Sequence, residues 1–266
     1  MLKPINHGEE IPLRDEDAAP LAALVEKSNL KDEFKNLRNR LKDLGRKLRT
    51  SPQQSLLVIL QGRNAGGKDS TTRKVFRKVD PQALQISAFT KPTRIDQQHD
   101  FLWRIHQQVP PSGKIGVFIR SHYEDVLVPW THGHLSDRAL EQRLQQINDF
   151  ERMLTENGVT IVKLFLHISR DEQKQRFLKR LHRPDKHWKF DPTDFDDRER
   201  WSEFTQIYRQ IFTETSTDWS PWYVVPANHR PTRNYMIAQL LVSTLEGMAL
   251  SYPPLDVDPA QYEDRL

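Results

Sequence analysis

The segment Gly62-x-x-x-x-Gly67-Lys68 contains the residues whose types and spacing are best suited to chemistry. The apolar residues 56–60 precede it, with the length of a strand buried on both faces, and a segment able to form a helix follows it. Glycines let backbone N–H groups turn toward phosphate oxygens, the start of a helix adds positive potential, and a lysine adds a point charge. The spacing therefore predicts a phosphate-binding P-loop.

One position of this segment departs from the general P-loop pattern. The pattern has Ser or Thr directly after the lysine, where the hydroxyl holds magnesium, but this chain has Asp69, followed by Ser70 and Thr71. The alternative interpretation is a glycine-rich turn between a strand and a helix that binds nothing.

A second polar cluster, Arg120-Ser-His-Tyr-Glu-Asp125, follows the short apolar segment 115–119. P-loop enzymes place an acid that holds magnesium just beyond a buried strand, a role that suits Asp125 or Glu124. Arg120 is placed to face a transferring phosphate, where a planar bidentate donor stabilises the spreading charge. The alternative is that these polar side chains belong to an ordinary surface turn without a catalytic role.

The third candidate is the basic segment 174–189, which contains a single acid, Asp185, and is followed by the acidic segment 191–199. This pattern resembles the mobile lid of nucleotide kinases, which closes over phosphates and excludes water. The alternative is a solvated helix face, but the excess of positive charge favours a polyanion as the partner. The cations are Lys174, Arg176, Lys179, Arg180, Arg183, Lys186 and Lys189.

Alternating strands and helices position these candidates. The apolar pattern predicts strands over residues 56–60, 84–89, 115–119, 160–168 and 222–225. It predicts helices over residues 21–48, 96–108, 140–154 and 235–248. Two more helices are predicted, one directly after the P-loop and one after the capping box Ser169-x-x-Glu172. In the helix over 96–108, the residues expected to face inward are Phe101, Leu102 and Ile105. Such alternation indicates an α/β fold in which a five-stranded parallel sheet has helices on both faces and binds ligands at the carboxyl ends of its strands.

Composition limits the classes of protein that the chain can belong to. The 266 residues are 36% hydrophobic and 29% charged, with a net charge of +4 and no cysteine, so disulfides and thiolate metal sites are excluded. Without a signal core or a long apolar stretch, we expect a soluble, cytoplasmic protein. We predict an N-terminal arm and long helix (1–50), a P-loop core (51–252) with a lid at about 180–200, and a C-terminal tail (253–266).

Five motifs in order make the chain resemble the polyphosphate kinase 2 family over roughly residues 50–250. They are Leu-Gln-Gly-x-x-Ala-x-Gly-Lys-Asp (60–69), Asp-Phe-Leu-Trp-Arg-Ile-His (100–106), Arg-Ser-His-Tyr-Glu-Asp-Val-Leu-Val (120–128), Lys-His-Trp-Lys-Phe (186–190) and Pro-Trp-Tyr-Val-Val-Pro (221–226). The chain length and the residues Phe-Leu-Trp-Arg-Ile-His of the second motif look most like class III, the single-domain enzymes that act on nucleoside mono- and diphosphates.

The resemblance implies a P-loop kinase-like fold and reversible phosphoryl transfer between inorganic polyphosphate and AMP or ADP, with ATP as a product. GMP and GDP are alternative acceptors. It implies a Mg²⁺ cofactor, with Mn²⁺ as an alternative, a homodimer or homotetramer, and no nucleic-acid or membrane partner. Lys68 corresponds to the P-loop lysine, Arg120 to the phosphate-clamping arginine and Asp125 to the metal-binding acid.

Position 64 departs from the family, which usually has Asp where this chain has Asn64. An amide can coordinate a metal or donate a hydrogen bond, but it cannot act as a base, so we expect lower activity than with Asp at this position. We predict Lys68, Asn64, Arg120 and Asp125 as catalytic residues, with Asn64 and Asp125 holding the metal. The predicted phosphate-binding and nucleotide-binding residues are Gly62, Ala65, Gly66, Gly67, Lys68, Asp69, Ser70, Arg73, Arg120, Tyr123, Glu124, Arg183, Lys186 and Lys189.

Two other functions remain open at this point. One is a kinase of the same fold that uses a nucleoside triphosphate as donor, which differs in whether polyphosphate can replace ATP. The other is a non-catalytic protein that binds a polyanion through residues 174–189, with steep salt dependence and no need for magnesium.

Overall fold

The computed structural model describes residues 1–258, and a five-stranded parallel sheet lies at its centre. The strand order is β2-β3-β1-β4-β5, and each neighbouring pair is parallel. The predicted α/β architecture and all five predicted strands are therefore confirmed. The strands are β1 (Ser55–Gln61), β2 (Leu84–Ala88), β3 (Ile115–Ile119), β4 (Val159–His167) and β5 (Trp222–Pro226).

Helices cover both faces of the sheet and connect its strands. They are α1 (Ala22–Val25), α2 (Leu30–Arg49), α3 (Lys68–Val75), α4 (Trp103–His106), α5 (Glu124–Thr131), α6 (Asp137–Glu156), α7 (Arg170–Leu181), α8 (Thr193–Glu199), α9 (Trp201–Thr215) and α10 (Arg230–Gly247). Short 3₁₀ turns occur at Asp15–Ala18, Pro81–Ala83, Asp96–Gln98 and Pro184–Lys189. Across residues 1–258, none of these helices combines the length and the apolar character that a membrane crossing requires.

The central strand β1 explains the uninterrupted apolar run in the sequence. Every residue of β1 is buried. Leu56 and Val58 belong to a core cluster with residues of α2, α3 and α10, whereas Leu57 and Ile59 pack in a second cluster with Phe150 of α6. Because successive side chains of a strand point to opposite faces, a strand covered on both sides must be apolar at nearly every position.

The first long helix begins later than predicted. Residues 21–48 were expected to form one helix, but the chain leaves α1 after Val25 and starts α2 at Leu30. The intervening residues 26–29 are polar, and Lys27 turns back to pair with Glu33 at 2.6 Å. The predicted apolar stripe lies within α2, where Leu37 and Leu41 are buried in the cluster shared with α10.

The predicted helix over residues 96–108 is wrong. The structure has only a 3₁₀ turn there and the single turn of α4. Local hydrogen bonds compete with a helix: the Asp96 carboxylate accepts from Thr93 N at 2.7 Å, and the Asp100 carboxylate accepts from Leu102 N at 2.9 Å. Ile105 is fully buried as expected.

The N-terminal arm makes more contacts with the core than its polar sequence suggests, and the last helix is longer than predicted. In the N-terminal arm, Ile5 and Leu13 are buried, and Ile5 N donates to Trp222 O at 2.9 Å. The last helix begins at Arg230 rather than at residue 235, with Pro231 in its first turn. Residues 253–258 of the predicted tail are exposed, and the remainder of that tail lies outside the described residues.

Candidate phosphate-binding site

The glycine-rich loop connects the carboxyl end of β1 to the first turn of α3, as the sequence predicted. Gly67 has a φ of +104°, and a Cβ at this position would collide with the guanidinium of Arg233. Gly62 has a φ of +146°, and a Cβ there would lie 2.8 Å from Leu166 O. Both positions therefore need glycine. Ala65 adopts a φ of +63°, a left-handed conformation that costs free energy outside glycine and is often found at functional sites.

Lys68 is the first residue of α3, and its side chain is buried inside the loop. Its Nζ donates to Gly62 O at 2.5 Å and lies 3.4 Å from Arg63 O. Burial, with the positive charge of Arg120 as a smaller contribution, lowers the pKa of Lys68 to about 8. A cation held only by loop carbonyls is placed to exchange these partners for phosphate oxygens.

Arg120 lies directly after β3 and faces the loop. It has a φ of +64°, and its Nη2 donates to Asn64 Oδ1 at 3.2 Å. Its backbone N–H donates to Leu60 O at 3.0 Å, which continues the pairing of β3 with β1. The adjacent parallel strands thus bring the second polar cluster beside the P-loop, as the sequence predicted.

Glu124 is the acid that faces this site. It is the first residue of α5, and the Gln61 amide, in the orientation that its neighbours require, donates to Glu124 Oε1 at 3.0 Å. Burial raises the pKa of Glu124, while the positive charges of Arg120 and Lys68 oppose this shift. Glu124, Asn64 and Arg120 line the same small cavity. The structure therefore brings together an acid, two cations and an amide.

Asp125, although adjacent in sequence, belongs to different surroundings. Its carboxylate pairs with Arg104 at 2.8 Å, and it lines a separate cavity of about 540 Å³ that includes Phe101 and Arg143. Burial raises the pKa of Asp125, and the hydrogen bond from Arg104 opposes this shift. The predicted metal pair, Asn64 and Asp125, is thus not brought together as a pair, because Asp125 faces Arg104.

Tyr123 is fully buried and points away from the loop. Its hydroxyl lies 2.9 Å from Glu151 Oε1, and Lys163 Nζ donates to Glu151 Oε2 at 2.6 Å. His122 Nε2 is also within 3.1 Å of Glu151. This buried network fixes the turn that carries Arg120 and Glu124. The structure therefore favours a structural role for Tyr123 over the predicted contact with a phosphate.

The segment of the predicted lid, at about residues 180–200, lies against the P-loop. Asn64 Nδ2 donates to Asp197 of α8 at 2.9 Å, and Lys189 Nζ is 3.4 Å from the carboxylate of Asp69. Arg183 pairs with Asp185 at 2.8 Å, and both side chains are more than half exposed. Lys186 is exposed. These lid cations are accessible to a ligand that approaches the loop.

Some cations of the basic segment have partners within the protein. Arg176 is buried and donates to Ala65 O and Gly66 O, each at 2.9 Å, so it supports the P-loop from below. Arg180 pairs with Asp194 at 2.9 Å. The number of cations free to contact a polyanion is therefore smaller than the sequence suggested, because Asp194 holds Arg180 and the carbonyls of the P-loop hold Arg176.

Two arginines at the site were missed by sequence reasoning. Arg233, only 1% exposed, donates through Nη2 to Ser70 Oγ at 3.2 Å, and burial followed by repulsion from Arg176 lowers its pKa to about 9. Arg63 stacks on the ring of Trp201 at 3.7 Å, which ties the P-loop to α9. A signal existed for Arg233, since the basic segment 229–233 follows β5 at the same sheet edge, but residues 229–234 were left outside the predicted helix.

The remaining predicted residues differ in their contact with the loop. Ser70 Oγ donates to Gly67 O at 2.9 Å, whereas Arg73 is exposed on α3. Gly66 is buried, and its N–H donates to Arg63 O at 3.0 Å. These contacts shape the loop. That its residues bind phosphate remains a prediction.

The side chains at the site offer oxygen atoms as metal ligands, and such ligands suit a hard divalent cation. Within residues 1–258, no group of three or more His, Cys, Asp or Glu side chains could form a complete metal cage. Glu124 and Asp197 supply carboxylates on the cavity beside the P-loop. Magnesium is usually bound by one or two carboxylates together with substrate phosphates and water, so these residues fit it.

Comparisons with known proteins show which proteins this chain is similar to. The family model described as polyphosphate kinase 2 matches residues 24–252. An AMP/ADP-polyphosphate phosphotransferase from Meiothermus ruber is 46% identical over 217 residues, which cover 82% of this chain and 81% of the relative. An ADP-polyphosphate phosphotransferase from Rhodopseudomonas palustris is 38% identical over 239 residues, covering 85% and 82%. The crystal structure of polyphosphate kinase 2 from Arthrobacter aurescens superimposes with a TM-score of 0.87 at 42% identity, covering 90% of this chain and 86% of that one.

Proposed function

This chain belongs to the polyphosphate kinase 2 family, and from this premise we propose that it transfers a phosphoryl group reversibly between inorganic polyphosphate and AMP or ADP. The observation that carries the proposal is the convergence of Lys68, Arg120 and Glu124 at the P-loop. Two cations and an acid at such a loop can bind a phosphate chain and stabilise charge on the group in transfer. The names of the relatives from M. ruber and R. palustris support the choice of substrates.

Each residue has a distinct part in the proposed reaction. Lys68 leaves the carbonyl of Gly62 and donates to a phosphate oxygen, because a phosphate anion is a stronger acceptor for a buried cation. Arg120 presents a planar guanidinium to the transferring group, where two parallel donors hold its oxygens. The lid covers the loop and excludes water, which strengthens both interactions.

We propose Mg²⁺ as the cofactor, with Mn²⁺ as an alternative. Glu124 would hold the cation together with phosphate oxygens, because its carboxylate faces Lys68 and Arg120, whereas Asp125 is paired with Arg104. When bound, the cation neutralises negative charge on neighbouring phosphates. The roles predicted for Asn64 and Asp125 as metal ligands remain predictions.

The pKa of Lys68 predicts an alkaline limit to activity. Lys68 must be protonated to attract phosphate, and its pKa in the free protein is about 8. We therefore expect kcat/KM to fall as the pH rises through about 8, toward a tenfold loss per pH unit, because kcat/KM reports on the free enzyme. Measuring kcat/KM between roughly pH 6.5 and 9.5 tests this expectation.

The matched control for this profile is Lys68→Arg. The ordinary pKa of arginine is about two units above that of lysine, so the residual kcat/KM of that variant should begin to decline at a higher pH than that of the unmodified protein. An identical alkaline decline in both proteins would assign it to another group.

The proposed reaction is tested by incubating the protein with polyphosphate, Mg²⁺ and either AMP or ADP. We expect ADP and ATP, respectively, as products, and no product when Mg²⁺ is chelated. Transfer to AMP from ATP but not from polyphosphate would identify a kinase with a nucleoside triphosphate donor. Binding of polyphosphate without transfer, steeply weakened by salt and unaffected by chelation, would identify a polyanion-binding protein.

The same assay with GMP and GDP addresses the base preference. The predicted homodimer or homotetramer, the absence of a nucleic-acid partner and the cytoplasmic location remain predictions.

A further inference from the structure

The side chain of Asn64 connects two parts of the molecule that are far apart in sequence. Its Nδ2 donates to Asp197 Oδ2 at 2.9 Å, and its Oδ1 accepts from Arg120 Nη2 at 3.2 Å. The orientation of the amide is determined by these partners, since a carboxylate can only accept and a guanidinium can only donate. Both polar ends of Asn64 are therefore occupied by protein groups.

Asp197 belongs to α8, so this hydrogen bond attaches the lid to the P-loop. The other oxygen of Asp197 lies 3.4 Å from His132 Nε2. The second contact between the lid and the P-loop region joins Lys189 to Asp69, but it is 3.4 Å long and the Asp69 side chain is 63% exposed. Exposed pairs of this kind contribute little. Among the described residues, the amide of Asn64 is the one loop side chain that hydrogen-bonds α8, which is also held to α7 by Arg180–Asp194 at 2.9 Å and by Arg198–Gln173 at 2.9 Å.

The amide is essential to this connection. A carboxylate at position 64 would still accept from Arg120, but it would face Asp197 with a second acceptor at hydrogen-bond distance. Two carboxylates in this arrangement repel each other unless a proton or a cation lies between them. The direct contact between α8 and the loop would then depend on a bound cation, whereas with Asn64 the protein completes the contact by itself.

We propose that Asn64 is a positioning residue that holds α8 over the P-loop without a divalent cation. In this role it links the lid to Arg120, which is an alternative to its predicted role as a metal ligand. The inference does not depend on which substrates the protein uses, because it concerns the ligand-free protein.

Hydrogen exchange of the α8 amides, followed by mass spectrometry on ligand-free protein, tests the proposal. For the unmodified chain we expect the same exchange rate in EDTA and in excess Mg²⁺. For Asn64→Asp we expect exchange roughly tenfold faster in EDTA, the size expected when a hydrogen bond to a charged group is lost, and recovery of protection in Mg²⁺. For Asn64→Asp with Asp197→Asn, the donor and acceptor are exchanged, so slow exchange should return in EDTA.

Equal rates for the unmodified chain and Asn64→Asp in EDTA would overturn the proposal, as would rapid exchange of Asn64→Asp that Mg²⁺ does not slow. Exchange of α10 amides reports whether each variant is folded. If Asn64→Asp does not fold, Asp197→Ala carries the test: its α8 should exchange roughly tenfold faster with or without Mg²⁺. Asp196→Ala is the matched control, because this neighbouring side chain is exposed, and it should exchange like the unmodified chain. Equal rates for Asp197→Ala and Asp196→Ala would also refute the role of Asn64.

Discussion

Lys68→Ala should lower kcat for phosphoryl transfer by roughly 10³-fold or more, because it removes a buried charge that stabilises the group in transfer. The protein should remain folded. Burial lowers the pKa of Lys68 to about 8, so its charge is costly in the ligand-free protein, and alanine removes this cost. Initial rates with saturating polyphosphate and ADP, together with the melting temperature, measure both effects.

Lys74→Ala is the matched control for this variant. Lys74 lies on the same helix, α3, but its side chain is exposed. We expect its rate to stay within about twofold of the unmodified protein, since a single exposed charge contributes little at a distance. Comparable rates for Lys68→Ala and Lys74→Ala would show that the P-loop does not carry the chemistry.

Glu124→Gln should lower kcat by roughly 10²-fold or more and raise the Mg²⁺ concentration needed for half of the maximal rate, because the amide keeps the shape but loses the charge that attracts the cation. The Gln61 amide that now donates to Glu124 would meet a neutral acceptor, so the fold should persist. Rates measured over a series of Mg²⁺ concentrations separate the loss of metal affinity from the loss of turnover.

Asp125→Asn provides the paired comparison, since it makes the same chemical change one residue later. Its carboxylate contacts Arg104, and an asparagine oxygen can still accept that hydrogen bond, so we expect a smaller loss of activity, within about tenfold, and an unchanged Mg²⁺ requirement. The reverse pattern, with the Mg²⁺ requirement raised only in Asp125→Asn, would restore Asp125 as the metal-binding acid.

The buried network around Glu151 explains how such a site keeps its shape. Lys163 of β4 and Tyr123 share this carboxylate with no exposure to solvent. Removing one partner from a buried pair leaves an uncompensated charge, so the network resists rearrangement. It fixes the turn between Arg120 and Glu124 from the side opposite the P-loop, and it accounts for the burial of a tyrosine that the sequence suggested as a ligand contact.

The sheet and the P-loop could be predicted from residue types and their spacing. An apolar run such as residues 56–60 can be stable only where both faces are covered, and the glycines at 62 and 67 occupy conformations that exclude a Cβ. Such features are local, because they depend on the residue type and its immediate neighbours. The lid, which remains a prediction, was also inferred from a local property, the density of charge in residues 174–199.

Which polar residues face the site depends on the tertiary structure. Glu124 and Asp125 are adjacent, but successive residues of a helix point about 100° apart, so only the packing of α5 places Glu124 toward Lys68 and Asp125 toward Arg104. Asn64 and Asp197 are 133 residues apart, and Arg233 reaches the P-loop from the last helix. Contacts across such distances depend on how the helices pack on the sheet, which no local pattern in the sequence records.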